Sequence, residues 1–233
     1  MESKLQNFCA QAKALYGDRL RSILVYGSVA SGEHIPRRSN VNLLVCLDRV
    51  DFEALELSRK FFQRWKRFTR TLPLLFDRRY METSSDVFPM EFLDIQQSYR
   101  VLFGEDVLKP LVVDRKSLRF QCESEIKGKL VRLRQAYLEA VFLHDWKQVL
   151  IASIPSFLTI FRNLIRLKGQ EPPVKAQDVV GHAARLYRVN ADAAQTLLKL
   201  KSGLRLSRVE LVDLYRAWLA EVEALANAVD QEG

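Results

Sequence analysis

Two short apolar runs joined by a polar connection constrain the fold of this chain more than any other feature. Ser22-Ile23-Leu24-Val25-Tyr26 is rich in β-forming residues and stops at Gly27. Val41 to Leu47 is a second such run, with Asn42 as its only polar interruption. Both read as buried strands. The connection opens with Gly27-Ser28 and a Gly32-Glu33 pair, and closes with Arg37-Arg38-Ser39-Asn40. The expected order is therefore strand, Gly-Ser turn, short helix start, loop, and a second strand with polar residues at i and i+2. Residues i and i+2 of a strand point the same way, so Asn40 and Asn42 are expected to project together beside the turn. Gly27 permits a phosphate to approach the backbone closely. Ser28 offers a hydroxyl and a backbone N–H at a helix start, which suits an anion.

Around this pair the first 114 residues alternate helix and strand patterns. Leu5 to Tyr16 reads as an amphipathic helix. Asp51 to Arg70 reads as a long one, with Asp51, Glu53 and Glu56 at its start and Lys66, Arg67 and Arg70 at its end, as the helix dipole favours. Leu72 to Phe76 is a third strand, Phe88 to Ile95 a fourth, and a short helical piece is expected to reach Gly104. From about Asp114 strand signals stop. Leu118 to Leu143, Trp146 to Lys168 (broken or kinked near Pro155), Ala176 to Tyr187, Ala191 to Lys201 and Ser207 to Asp230 read as five helices. Ser207 and Glu210 form an S-x-x-E capping box. The sequence thus predicts an α+β domain over 1–114 followed by an all-α helical bundle over 115–233.

Composition narrows the function classes. At 233 residues, 48% hydrophobic and 27% charged, the chain is an ordinary globular one rather than a disordered one. No apolar leader and no run approaching 18 uncharged apolar residues is seen, so no membrane span is expected. Cys9, Cys46 and Cys122 fit neither a disulfide framework nor a zinc motif; they read as reduced, buried thiols of a cytoplasmic protein. The net charge is +8 and sits mostly in the second half: residues 1–114 hold 17 Lys and Arg against 15 Asp and Glu, residues 115–233 hold 19 against 13. Excess positive charge suits a nucleotide or an acidic partner, and is equally common on helical surfaces.

The strand, Gly27-Ser28, and polar-x-polar strand together resemble the polymerase-β-like nucleotidyltransferase superfamily, over residues 21–108. The bundle that follows is similar in layout to the two-domain members, antibiotic nucleotidyltransferases among them. The resemblance implies a mixed sheet with flanking helices, a nucleoside triphosphate in a cleft between the domains, and Mg²⁺ held by an Asp-x-Asp pair and a third carboxylate. It puts Asn40 and Asn42 at the paired aspartates. Met90-Glu91-Phe92-Leu93-Asp94-Ile95, followed by Leu102-Phe103-Gly104, looks like the later segment, which makes Glu91 the third carboxylate and the catalytic candidate.

The departure from the family pattern carries as much weight as the match. Asparagine keeps the shape and one carbonyl oxygen but loses the charge. Two divalent ions carry +4, and Glu91 alone offsets little of it, whereas hard Mg²⁺ depends on carboxylate and phosphate oxygens. The expectation is a degenerate site that binds nucleotide through Gly27, Ser28, Arg37, Arg38, Ser39, Asn40 and Asn42, weakly or not at all, with no cofactor. Two alternatives stay open: an active transferase of ATP-like donors with altered Mg²⁺ use, and a non-catalytic module that forms a homodimer or meets a protein partner through its helical domain.

Other residues read more blandly. His34 is an exposed loop histidine. Glu123 and Glu125 are solvated. The bundle lacks the Arg-to-His spacing of the RNase members of the similar HEPN bundles, because neither His144 nor His182 has an Arg four to six residues upstream. Arg59, Lys60, Arg64, Lys66, Arg67 and Arg70, interleaved with Phe61, Phe62, Trp65 and Phe68, resemble a basic-aromatic strip. At helical spacing Phe61, Trp65 and Phe68 share a face, which reads as core, and nucleic acid is not an expected partner.

Overall fold

The computed structural model describes residues 1–32 and 40–231. The chain divides into two compact units, Met1–Asp114 and Arg115–Gly233.

The first unit is built on a four-stranded sheet of β1 (Leu20–Tyr26), β2 (Asn42–Leu47), β3 (Leu74–Asp77) and β4 (Tyr99–Gly104), in the order β3-β2-β1-β4. β1 pairs antiparallel with both β2 and β4, while β2 and β3 run parallel, so the sheet is mixed. Alternation along the strands divides two cores. Ile23, Val25, Leu43, Val45 and Leu47 face α1 (Glu2–Tyr16) and α2 (Phe52–Thr69), where Leu5, Phe8, Ala12, Phe62 and Trp65 are buried. Leu24, Leu44 and Cys46 face the other way, onto Met81 of α3 (Arg78–Ser84) and Phe92 and Ile95 of α4 (Pro89–Gln97). Asp51 and Asp77 start α2 and α3 by accepting the backbone N–H of Ala54 and Tyr80, each at 2.8 Å. Arg70 ends α2 in the left-handed region, at φ 65°.

Two expectations are corrected here. Phe88 to Ile95 is not a strand but the body of α4. Pro89 occupies its first turn, where a missing N–H costs nothing, and Pro89, Met90, Phe92 and Ile95 are its buried residues. Tyr99–Gly104, expected to be helical, is β4 at the sheet edge.

The second unit comprises α5 (Arg115–Glu139), α6 (Leu143–Leu167), α7 (Ala176–Tyr187), α8 (Asp192–Lys201) and α9 (Arg208–Asp230). α6 runs on through Pro155 as one helix and contributes ten buried residues. By length and composition alone α6 is apolar enough to cross a membrane, which the sequence reading did not anticipate; 44% of its most apolar window is buried within the structure, as in a bundle core. Phe157 and Trp218 meet edge to face across α6 and α9, with centroids 4.7 Å apart. Ser207 and Glu210 form the expected capping box at the start of α9. Glu221, on α9 and buried, accepts the backbone N–H of Ala193 at 2.7 Å and of Ala194 at 3.0 Å, and so caps α8 from a neighbouring helix.

Candidate functional site

Two of the residues singled out in the sequence, Gly27 and Asn42, meet at one end of the sheet, where β1 stops, β2 starts and β4 begins. Across β1, Tyr26 stands opposite Asn42 on one side and Tyr99 on the other. Directly opposed residues share a face, and Tyr26 and Tyr99 both pack on the core beneath α4. Asn42, half-buried, therefore opens on that face.

Gly27 turns the chain away from β1 at φ 74°. Its N–H donates to the Ser98 carbonyl at 2.8 Å, and its own carbonyl accepts from Ala30 N at 2.8 Å and Ser31 N at 3.1 Å. Ser98 Oγ also donates to the Gly27 carbonyl at 3.4 Å. A Cβ placed on Gly27 would stand 3.3 Å from Asn42 Nδ2, so glycine is what lets the amide lie against the turn. The expected helix start at Ser28 is one 3₁₀ turn, Gly27–Val29, too short to supply much dipole to an anion. Ser98 and Tyr99 were not foreseen. They lie 71 or more residues downstream of Gly27, and only strand pairing brings them in.

Asn40 and Glu91 are both exposed. Asn40 precedes β2 rather than lying within it. Glu91 lies on the first turn of α4, about 10 Å along the helix axis from Ser98 by the rise per residue. His34, Arg37, Arg38 and Ser39 lie outside the described residues. In the other unit, Glu125 is exposed and pairs with Lys129, as its reading as a solvated carboxylate expects, whereas Glu123, only 16% exposed, is held between Arg119 and Lys127 rather than solvated. His182 shares a hydrogen bond with Gln170 at 2.7 Å.

Two phenols frame this end of the sheet. Burial pushes Tyr26 above its ordinary range. Burial, and then the hydrogen bond to Asp106 at 3.0 Å, do the same for Tyr99. Both stay protonated at neutral pH, so among the described residues the groups around Gly27 include the neutral Asn42 amide, the Ser28 and Ser98 hydroxyls and two phenols.

A scan with family models finds no match for the chain, and no curated protein matches its sequence. Among solved structures, spectinomycin adenyltransferase AAD(9) from Enterococcus faecialis, crystallised with ATP and spectinomycin, superposes with a TM-score of 0.56 at 10% identity, over 98% of this chain and 99% of that one. The chain has an α+β nucleotidyltransferase fold.

The nucleotidyltransferase fold implies Mg²⁺, so the donors of this site have to be tested against it. Without a substrate's phosphates they do not fit. Asn42 offers one neutral carbonyl oxygen, and among the described residues no three His, Cys, Asp or Glu side chains are grouped to hold a metal ion by themselves. Hard cations bind where anionic oxygens converge. What this end of the sheet presents instead is neutral polar groups around a glycine turn, several of them already bonded within the protein: Gly27 N–H to Ser98, Ser98 Oγ to Gly27 and Tyr99 to Asp106.

Proposed function

We propose that this chain is a catalytically degenerate nucleotidyltransferase-fold protein, a cytoplasmic pseudoenzyme that keeps a weak site for a nucleoside triphosphate such as ATP. The site consists of Gly27, Ser28, Asn40 and Asn42, with Arg37, Arg38 and Ser39 as further phosphate contacts. The observation that carries this reading is the coincidence of a phosphate-type glycine turn with neutral amides and no carboxylate cluster among the described residues. The ATP in the AAD(9) structure supports the choice of ligand. Glu91, exposed on α4, is the only residue on which a surviving transfer activity would rest.

The test is titration of ATP with and without Mg²⁺, on the wild type and on an Asn40→Asp, Asn42→Asp double variant. Wild-type binding is expected to be weak and changed less than about twofold by Mg²⁺. The double variant is expected to gain metal-dependent binding, tighter by about tenfold, which corresponds to roughly 1.4 kcal/mol. Transfer of a nucleoside monophosphate by the wild type, abolished in Glu91→Gln, would overturn the proposal in favour of an active transferase with altered metal use.

A second reading, a protein-interaction module working through the bundle, is favoured by one feature. Leu138, Val141 and Phe142, around the turn from α5 to α6, are 83%, 80% and 70% exposed, a local apolar tip of the kind that meets partners. Sedimentation of the wild type beside Leu138→Lys with Phe142→Lys tests it. Self-association lost in the variant supports this reading, and a monomer in both cases removes the homodimer.

A further inference from the structure

The basic-aromatic stretch of α2 does not end in the core as its spacing implied. Trp65 is buried and Phe61 half-buried, but Phe68 is 69% exposed. Together with α1 these residues form an open groove of about 400 Å³ lined by Lys4, Asn7, Phe61, Arg64, Trp65 and Phe68, within the size range of small-ligand sites. It lies on the face of the sheet opposite α4.

Three features of the groove converge on one ligand chemistry. Its wall is aromatic: Phe8 and Phe61 stack at 4.7 Å, Trp65 leans on Phe8 at 4.7 Å, and Phe68 offers a ring to solvent. Its rim is cationic and carries no carboxylate. Lys4 sits over the Phe68 ring at 5.2 Å, and Arg64 has no ion pair among the described residues. Behind the wall, the Trp65 indole N–H is fully buried with no hydrogen-bond acceptor.

The cations also extend past the groove. Lys60, Arg64 and Arg67 fall at i, i+4 and i+7 of α2 and are all exposed, making a stripe about 10 Å long at 1.5 Å per residue. The acidic residues of α2, Glu53 and Glu56, lie at its other end, and Glu56 faces Arg59 at 4.0 Å. Flat rings beside a row of unpaired cations match the alternation of bases and phosphates in a single strand. The stripe outlasts one phosphate, which favours a strand over a lone nucleotide.

We propose that the α1–α2 groove binds single-stranded nucleic acid, with a base stacked on Phe68 and the neighbouring phosphates on Arg64, Lys4 and Lys60.

The experiment uses the full chain and a fluorescein-labelled 12-nucleotide RNA, followed by anisotropy, beside the same sequence as a duplex and an acidic phenylalanine-containing peptide. The wild type is expected to bind the single strand more tightly than the duplex or the peptide, with affinity falling as salt rises. Phe68→Ala is expected to weaken single-strand binding about tenfold, the effect of losing one stacked base, and to change duplex binding less than twofold. Lys60→Glu with Arg64→Glu is expected to weaken both by more than tenfold. All three side chains are exposed, and unchanged thermal melting confirms that the variants fold. No single-strand binding, binding indifferent to these changes, equal loss for strand and duplex in Phe68→Ala, or tighter capture of the peptide would each overturn the proposal. No groove residue belongs to the Gly27 turn, so failure here and failure of the ATP site are separate results.

Discussion

The side-chain amide of Asn42 lies against the backbone of Gly27, close enough that a Cβ on the glycine would stand 3.3 Å from Asn42 Nδ2. The two residues are fifteen positions apart and meet because β1 and β2 pair in register up to Tyr26 and Asn42. Gly27→Ala must accept both a φ of 74° and that contact. Strain at a non-glycine left-handed position costs on the order of 1–2 kcal/mol. Denaturant unfolding is expected to show a loss of that size, and ATP binding to fall by more than the stability change alone accounts for.

Gly104 gives the harsher case. At φ 76°, an added Cβ would fall 1.9 Å from the Arg21 carbonyl oxygen, inside the β1–β4 pairing. No side-chain movement relieves a clash with backbone. Gly104→Ala is expected to cost more than about 3 kcal/mol, read as loss of cooperative melting of the first unit. A near-neutral melt would mean that β4 is not paired with β1 as described.

Glu221 makes the second unit sensitive to pH. Burial lifts its carboxyl above the ordinary value of 4.5, outweighing the backbone donors of Ala193, Ala194 and Asp192 that favour the anion. The folded state therefore holds this proton more tightly than the unfolded chain does. Its contribution to stability is fully present below the unfolded value and is lost as pH rises through the raised one. Thermal melts of the wild type and Glu221→Gln from about pH 4 to about pH 7 isolate the effect, because glutamine does not titrate. The wild type is expected to lose ground to the variant as pH rises; if it gains ground, the capping bonds dominate burial instead.

Cys46 is fully buried on β2, and burial, reinforced by Glu105 and Asp77, raises its thiol to about 12. Only thiolates alkylate at a useful rate. Cys122 is also fully buried, while Cys9 is half-buried and raised mainly by burial. Iodoacetamide at pH 8 is expected to modify at most one site, Cys9, in the folded protein and all three after denaturation, counted by mass spectrometry. Fast labelling of Cys46 would show that the sheet core opens.

Much of this fold was legible in the sequence because its periodicities are strong. α7, α8 and α9 fall within a residue of the expected ends, since a 3.6-residue apolar spacing and a capping box such as Ser207 and Glu210 are local signals. The α4 segment misled because Met90-Glu91-Phe92 alternates like a strand; Pro89 at the helix start was the stronger cue. Phe68 misled because it shares its helical face with Trp65, yet from α1 it meets the Lys4 ammonium rather than an apolar side chain, and stays 69% exposed. Gly27 and Asn42 were found from spacing alone. Ser98 carries no local signal and reaches the turn only through the pairing of β4.

That pairing sets an order in time. The carbonyl that receives Gly27's N–H belongs to a residue synthesised 71 positions later. Until Tyr99–Gly104 has emerged, β1 lacks its partner on that side and the Gly27 N–H lacks the Ser98 carbonyl. The glycine turn, though encoded near the start of the chain, thus gains its last hydrogen bonds only when β4 pairs.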